Sequence, residues 1–268
     1  MDWSGLRMKC SEVIACLEKV APRCFAEKWD NVGLLAGRED KEVNKILLAL
    51  DPTSEVVDEA AAWGADLLIT HHPLIFSGIK SVTTSDFVGK RVFNLIFQDV
   101  CYYAMHTNFD VMGMADAVAD QLELEKCQVL DVTFQDEISK EGIGRMGELS
   151  RTMSLKECAK YVKDKCKLSS VKVFGNPDTL IDVVALIPGS GKSYIDLAIK
   201  KGAQVVITGD IDHHNGLDAV ERGLTVIDAG HYGLEKIFTT YMEEVLRREL
   251  PNVQIKRAVE KEPFWTVV

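Results

Sequence analysis

The sequence predicts an α/β protein of two similar lobes, each a mixed or parallel sheet flanked by helices, with a metal centre at the cleft between them. Helix-like and strand-like segments alternate along the whole chain. All six histidines fall in four short clusters, His71-His72, His106, His213-His214 and His231, each closing a short apolar run that reads as a strand. The order helix, Gly-Ala, strand ending Ile-Thr, paired histidines, strand, histidine, acid occurs twice.

The first element is an amphipathic helix near Ser11 to Val20, followed by the turn-rich Trp29-Asp30-Asn31-Val32-Gly33. Lys45 to Asp51 (KILLALD) reads as a buried strand, Thr53 to Trp63 as a helix stopped by Gly64, and Asp66 to Thr70 as a strand running into His71-His72-Pro73. A helix over Asp86 to Gln98 leads to the strand Val100 to Met105, which ends at His106. Thr107 and Asn108 then offer caps for a helix near Met114 to Leu122. Cys127 to Thr133, Gly144 to Ser150 and Ser170 to Phe174 read as strands, with a Ser154/Glu157 capping box between the last two. Strand Ile181 to Ile187, helix Ile195 to Gly202 and strand Gln204 to Thr208 lead to a loop with Asp210, Asp212 and His213-His214. Strand Leu224 to Ala229 and a long helix from His231 to near Pro251 complete the pattern.

AAAWGADLLITHHP and AIKKGAQVVITGDIDHH share Gly-Ala and a strand ending Ile-Thr, while AMHTNFD parallels AGHYGLE, each with an acid four residues after histidine. This internal duplication predicts lobes of residues 1–125 and 126–268, with the last helix packing back on the first. Any α/β chain repeats helix, glycine and strand; the matched histidines lift this one above that background.

The formal charge of −10 and the absence of any basic run argue against nucleic acid as a partner. No apolar run approaches the roughly 18 residues of a membrane span, and the first twenty residues lack a signal-peptide pattern, so a cytoplasmic location is expected. Seven single cysteines without a C-x-x-C pair fit neither a disulfide framework nor a thiolate zinc site.

Histidines at carboxyl ends of strands sit where open parallel sheets bind ligands, and carboxylates four residues on share a helical face with His106 and His231. If His71, His72, Asp110, His231 and Glu235 converge, they are too many for one tetrahedral zinc and suit two divalent ions, whether iron, manganese or zinc. Glu235 is the candidate bridge. Such pairs lower the pKa of bound water to about 7. His71 and His72 can act together only if the chain turns there, since neighbours in extended backbone point apart. Asp110 has the alternative use of capping the next helix. His106 stands between ligand, partner of a ligand, and catalytic acid or base. His213 and His214, by their polar loop, are candidates to line the cleft mouth and contact substrate or to fix an oligomer contact, or simply loop residues. Gly189-Ser190-Gly191-Lys192-Ser193 lacks the Walker glycine, since position 186 is leucine. Lys192 there is a candidate anion contact, with a tight strand-to-helix turn as the plainer reading.

Together, WDNVGL from Trp29, THHPLIF from Thr70, HTNFD from His106, TGD..HH from Thr208 and HYGLE from His231 resemble the Nif-three-like family, whose members are also called GTP cyclohydrolase 1 type 2 homologues. The resemblance runs from the first helix to the last. It implies a two-lobed Nif-three-like fold with a dinuclear centre, commonly assembled as a homohexameric ring around an internal cavity. The family's ligands fall on His71, His72, Asp110, His231 and Glu235, with His106 nearby. Many relatives carry Glu where Asp210 stands, and the extra central domain of longer relatives has no room here. The implied activity is metal-dependent hydrolysis of a GTP-like nucleotide or heterocycle; the alternative is a non-catalytic metal or metallocofactor carrier, or a ring-shaped adaptor.

Overall fold

The computed structural model describes residues 8–265 and 267. The described residues divide into two compact units, one of those up to 109 with 238–261, the other of 110–237 with those from 262 on. This division falls before the helix at Ala115 rather than after it, and assigns the last long helix to the first unit.

The first unit is built on a five-stranded sheet in the order β1-β4-β3-β2-β11, where β1 is Gly33–Ala36, β2 Lys45–Ala49, β3 Leu67–Thr70, β4 Cys101–Ala104 and β11 Gln254–Arg257. Strands β2, β3, β4 and β11 run parallel to their neighbours, and β1 pairs antiparallel with β4. Central parallel strands are covered on both faces, so β2, β3 and β4 read as unbroken apolar runs rather than alternating ones. Ile46, Leu47 and Leu48 are fully buried, each contributing about 1.5–3 kcal/mol of hydrophobic stabilisation. Helices α1 (Cys10–Val20), α2 (Ser54–Trp63), α3 (Phe87–Phe97) and α10 (Ile237–Glu249) belong to this unit, with Ile237 the one residue of α10 outside it. The Thr53 hydroxyl caps α2 by accepting from Val56 N, and Gly64 ends it at φ 68°, a left-handed turn that favours glycine. Neither β1 nor β11 is apparent in the sequence: each is four residues long and only partly buried.

The second unit holds a six-stranded sheet in the order β5-β6-β8-β9-β10-β7: β5 Glu125–Gln135, β6 Lys140–Ser154, β7 Lys172–Phe174, β8 Leu180–Ser190, β9 Val205–Gly209 and β10 Thr225–Asp228. Strands β5, β6 and β8 are antiparallel, β8, β9 and β10 parallel, and β7 closes the far edge antiparallel to β10. Helix α6 (Leu155–Lys165) starts with the expected Ser154/Glu157 capping box and packs its apolar stripe against Val184 and Val205. Helices α7 (Ile195–Lys200) and α8 (His213–Glu221) cover the other face.

Two local expectations are corrected. Thr107 and Asn108 do not cap a later helix; α4 (Thr107–Phe109) starts on them, continues as a π-turn over Asp110–Met114, and runs on as α5 (Ala115–Gln121). Their polar groups are used elsewhere: Thr107 bonds Asp30, and Asn108 donates to the Ala21 carbonyl. His213 and His214 lie not in a loop but on the first turn of α8, because the Asp212 carboxylate caps it by accepting from Asn215 N. Among the described residues no helix is long and apolar enough to cross a membrane.

Candidate metal centre

In the first unit the functional side chains follow the carboxyl ends of β3 and β4. Thr70, fully buried at the end of β3, donates its hydroxyl to the His72 carbonyl at 2.6 Å. The Tyr102 hydroxyl of β4 lies 3.0 Å from the same oxygen and accepts from Leu74 N at 2.8 Å. Burial pushes the Tyr102 phenol far up, so it stays a neutral donor. These bonds bend the chain at the histidine pair. The two imidazoles consequently lie 4.9 Å apart on one side instead of pointing away from each other.

His106, just past β4, completes a cluster, 5.3 Å from the His71 ring and 5.7 Å from that of His72. His71 is fully buried and rests on Phe238 of α10, at 5.4 Å, and on Phe109 at 6.4 Å. Trp29 and Phe76 flank His106 at 6.0 and 6.4 Å.

Each imidazole is fixed through Nδ1. His71 donates to the Met105 carbonyl at 2.7 Å, and a carbonyl can only accept. His72 donates to Asp51 at 2.7 Å and His106 to Asp30 at 2.9 Å. Burial would raise the Asp30 carboxyl, which has no exposed surface, but bonds from His106 and from the hydroxyl and N–H of Thr107 outweigh it and bring the pKa to about 2. Asp30 is therefore a standing anion beneath His106.

The second unit repeats the device once. Gly230, at φ 77°, turns the chain from β10 into the short helix α9 (His231–Glu235), whose first and last residues share a face. His231 Nε2 lies 2.9 Å from Glu235 Oε2, and its Nδ1 donates to Asp210 at 2.8 Å. Glu235 is almost fully buried. Gly189, at φ 74° near the end of β8, gives it room: a Cβ there would lie 2.4 Å from Glu235 Oε1. Its loop is tied to β9 by Thr208, whose hydroxyl accepts from Gly191 N and donates to the Gly189 carbonyl. The glycines of Gly189-Ser190-Gly191 thus serve close packing against Glu235 and Thr208.

The donor chemistry suits a divalent cation. Nδ1–H held by a carboxylate or carbonyl leaves Nε2 as the nitrogen with the lone pair, the tautomer that ligating histidines adopt. Donors bound to one ion at about 2.1 Å lie roughly 3 to 4 Å apart. His71, His72 and His106 each offer an atom within 4.8 Å of the others, and the 2.9 Å between His231 and Glu235 is the separation of adjacent ligands. Three neutral imidazoles so close would also be an ordinary buried cluster, but aligned Nδ1 anchors on every ring are not needed for packing.

Of the residues singled out in the sequence, His71, His72 and His106 meet in the first unit and His231 and Glu235 in the second, while Asp110 opens the second unit on the π-turn, half-buried. Lys192 is exposed on a turn before α7, and neither it nor His213 nor His214 joins these clusters among the described residues. Missed by the sequence reading were the roles of Asp30, Asp51 and Asp210 as anchors and of Gly189 as a space-giver. Asp51 and Asp210 did carry a signal, an acid just past a buried strand; Asp30 lies 76 positions from its partner, and nothing local links them.

Comparison with known proteins agrees with this arrangement. A model of the family described as Duf34/NIF3 (NGG1p interacting factor 3) matches residues 8–263. A Clostridium perfringens protein named GTP cyclohydrolase 1 type 2 homolog is 36% identical over 96% of this chain and 99% of its own length. Among solved structures, Staphylococcus aureus hypothetical protein SA1388 superposes with a TM-score of 0.89 at 32% identity, covering 98% of this chain and all of that one. Reduced HcgD from Methanocaldococcus jannaschii follows at 0.82 and 32%, covering 95% and 99%. With its anchored histidines borne on this doubled α/β frame, the chain belongs to the DUF34/NIF3 family.

Proposed function

We propose that His71, His72, Asp110, His231 and Glu235 hold two divalent cations, iron, manganese or zinc, and that the protein is a cytoplasmic metal-dependent hydrolase of a nucleotide or related heterocycle. The observation that carries this reading is the shared anchoring through Nδ1 of His71, His72 and His231, which leaves Nε2 of each as the ligand nitrogen, with His106 held the same way beside the first two. The relatives' name supports a GTP-like substrate, and the family resemblance supports a homohexameric ring. When bound, such a cation pair polarises a substrate atom and acidifies a water.

The chain's own residues supply positioning and proton transfer. Asp30 holds His106 in the Nδ1–H tautomer and stabilises the imidazolium formed when Nε2 takes a proton, the logic of an acid–base dyad. Glu235, buried beside His231, would offer its carboxylate oxygens to the cations and is the candidate to be shared between them. Trp29 and Phe76, both more than half exposed beside His106, offer faces on which a flat heterocycle can stack.

The test is protein stripped of metal, reloaded with each of the three metals and assayed for two ions per chain and for a formamide product from GTP. His106→Ala is expected to abolish turnover with metal content unchanged. Full activity in that variant refutes its proton-transfer role; no turnover under any loading removes GTP as the substrate.

A further inference from the structure

We propose that a cavity on the first unit, beside His72, is a recognition subsite for a monoanion with an apolar, aromatic-sized body. The cavity measures about 420 Å³, within the roughly 300–1,000 Å³ typical of small-molecule pockets. Leu74, Phe76, Ile79 and Phe87 of α3 give it apolar lining, and Arg91 and His72 add polar groups. Phe76 and Phe87 are 55% and 66% exposed, more than a side chain used only for the core would be.

Arg91 sets the charge of the ligand. Its Nε donates to the Ser54 hydroxyl at 3.1 Å, and the guanidinium carbon lies 5.0 Å over the Phe87 ring. Both contacts hold the planar group in place before any ligand arrives and leave its geometry suited to a carboxylate or phosphodiester. It is the one cation among the residues lining the cavity, and the one acid there, Asp51, is bonded to His72. A single guanidinium balances one negative charge. A triphosphate chain, with three or four, would be poorly matched. A ligand seated against Phe87 and Arg91 would extend toward His72, so its part in turnover rests on the metal-centre reading above, whereas binding itself does not.

Titration calorimetry with 3-phenylpropionate and its uncharged counterpart 3-phenylpropanol, on metal-stripped and metal-loaded protein, tests this. The carboxylate should bind stripped protein about tenfold tighter than the alcohol, the worth of a charged hydrogen bond. Arg91→Gln should erase that advantage and leave the alcohol's affinity unchanged, and Phe87→Ala should weaken both ligands; circular dichroism checks that each variant is folded. Equal binding of the two ligands by the stripped wild type, or an advantage that survives Arg91→Gln, overturns the proposal. An advantage seen only in loaded protein also overturns it, since the carboxylate is then on the cations. Metal content of the same samples is read independently, so failure of the subsite and failure of the metal centre are told apart.

Discussion

The two sheets share four strands in one connectivity, β1-β4-β3-β2 in the first unit and β7-β10-β9-β8 in the second: an antiparallel edge strand, then three parallel strands read backward through the chain. The residues at their carboxyl ends have diverged. After the matching threonines, Thr70 and Thr208, the first unit continues His71-His72 and the second Gly209-Asp210. At 209 a side chain has no room, because a Cβ would lie 2.4 Å from the backbone nitrogen of His231. In the first unit, the imidazole at 71 instead bonds the backbone oxygen of Met105. The same frame thus supplies three imidazoles in one half and one imidazole with a buried carboxylate in the other. One position has changed its chemistry altogether: His72 is an imidazole that bonds Asp51, while Asp210 is a carboxylate that bonds the imidazole of His231.

The largest effect expected from breaking this asymmetry comes at Glu235 and at Gly189, its neighbour in space. Glu235→Ala removes the proposed bridge and should lower metal content from two ions per chain to one or none, with turnover down by about a hundredfold or more. Gly189→Ala removes no ligand. Its methyl group would nevertheless meet Glu235 Oε1 at 2.4 Å, on a backbone at φ 74° that disfavours alanine, so the carboxylate must move. Elemental analysis of both variants should show the same loss. Full metal content in Glu235→Ala would end the bridging assignment, and full content in Gly189→Ala would show that the loop yields instead of the carboxylate.

A smaller effect is expected when the anchors are changed and the donors kept. Asp51→Asn and Asp210→Asn should each weaken metal binding about 10- to 100-fold, the usual result of losing a carboxylate behind a ligating histidine. Competition with a chelator of known affinity measures it. If the duplicated frame divides the site as proposed, Asp51→Asn should affect the ion held through His72, and Asp210→Asn the one held through His231. Loss of both ions together in either variant would mean that the two are bound as one unit.

The frame and the histidine clusters were legible in the sequence for the same reason: both are local. Unbroken apolar runs such as KILLA and QVVIT mark parallel strands, and a histidine directly after such a run can only lie at its carboxyl end. Strands β1 and β11 were not legible, being short, partly exposed and held by partners distant in the chain. The anchors failed for a related reason. Hydrogen bonds from His72 to Asp51 and from His106 to Asp30 span 21 and 76 positions, and no periodicity connects residues so far apart. The π-turn at Asp110–Met114 was hidden too, since HTNFD and HYGLE look alike while only the second is regular α-helix.

The smallest expected effect separates Asp30 from the other anchors, because it concerns stability. Its carboxyl ionises at about 2 in the folded chain against an ordinary value of 3.8, so the folded state favours the anion. Between those values the unfolded chain binds more protons, and stability rises with pH. The contribution is fully present above pH 4 to 5 and is lost as the pH falls toward 2. A shift of that size corresponds to about 2 kcal/mol, roughly half of it remaining at pH 3. Asparagine at position 30 keeps the shape but has no charge to titrate. Urea unfolding of wild type and Asp30→Asn, both with chelator present, should therefore show a gap of about 2 kcal/mol at pH 7 that narrows by about half at pH 3. A gap that stays constant with pH would mean that Asp30 acts through its hydrogen bonds to Thr107 alone, and the picture of a standing anion beneath His106 would have to be given up.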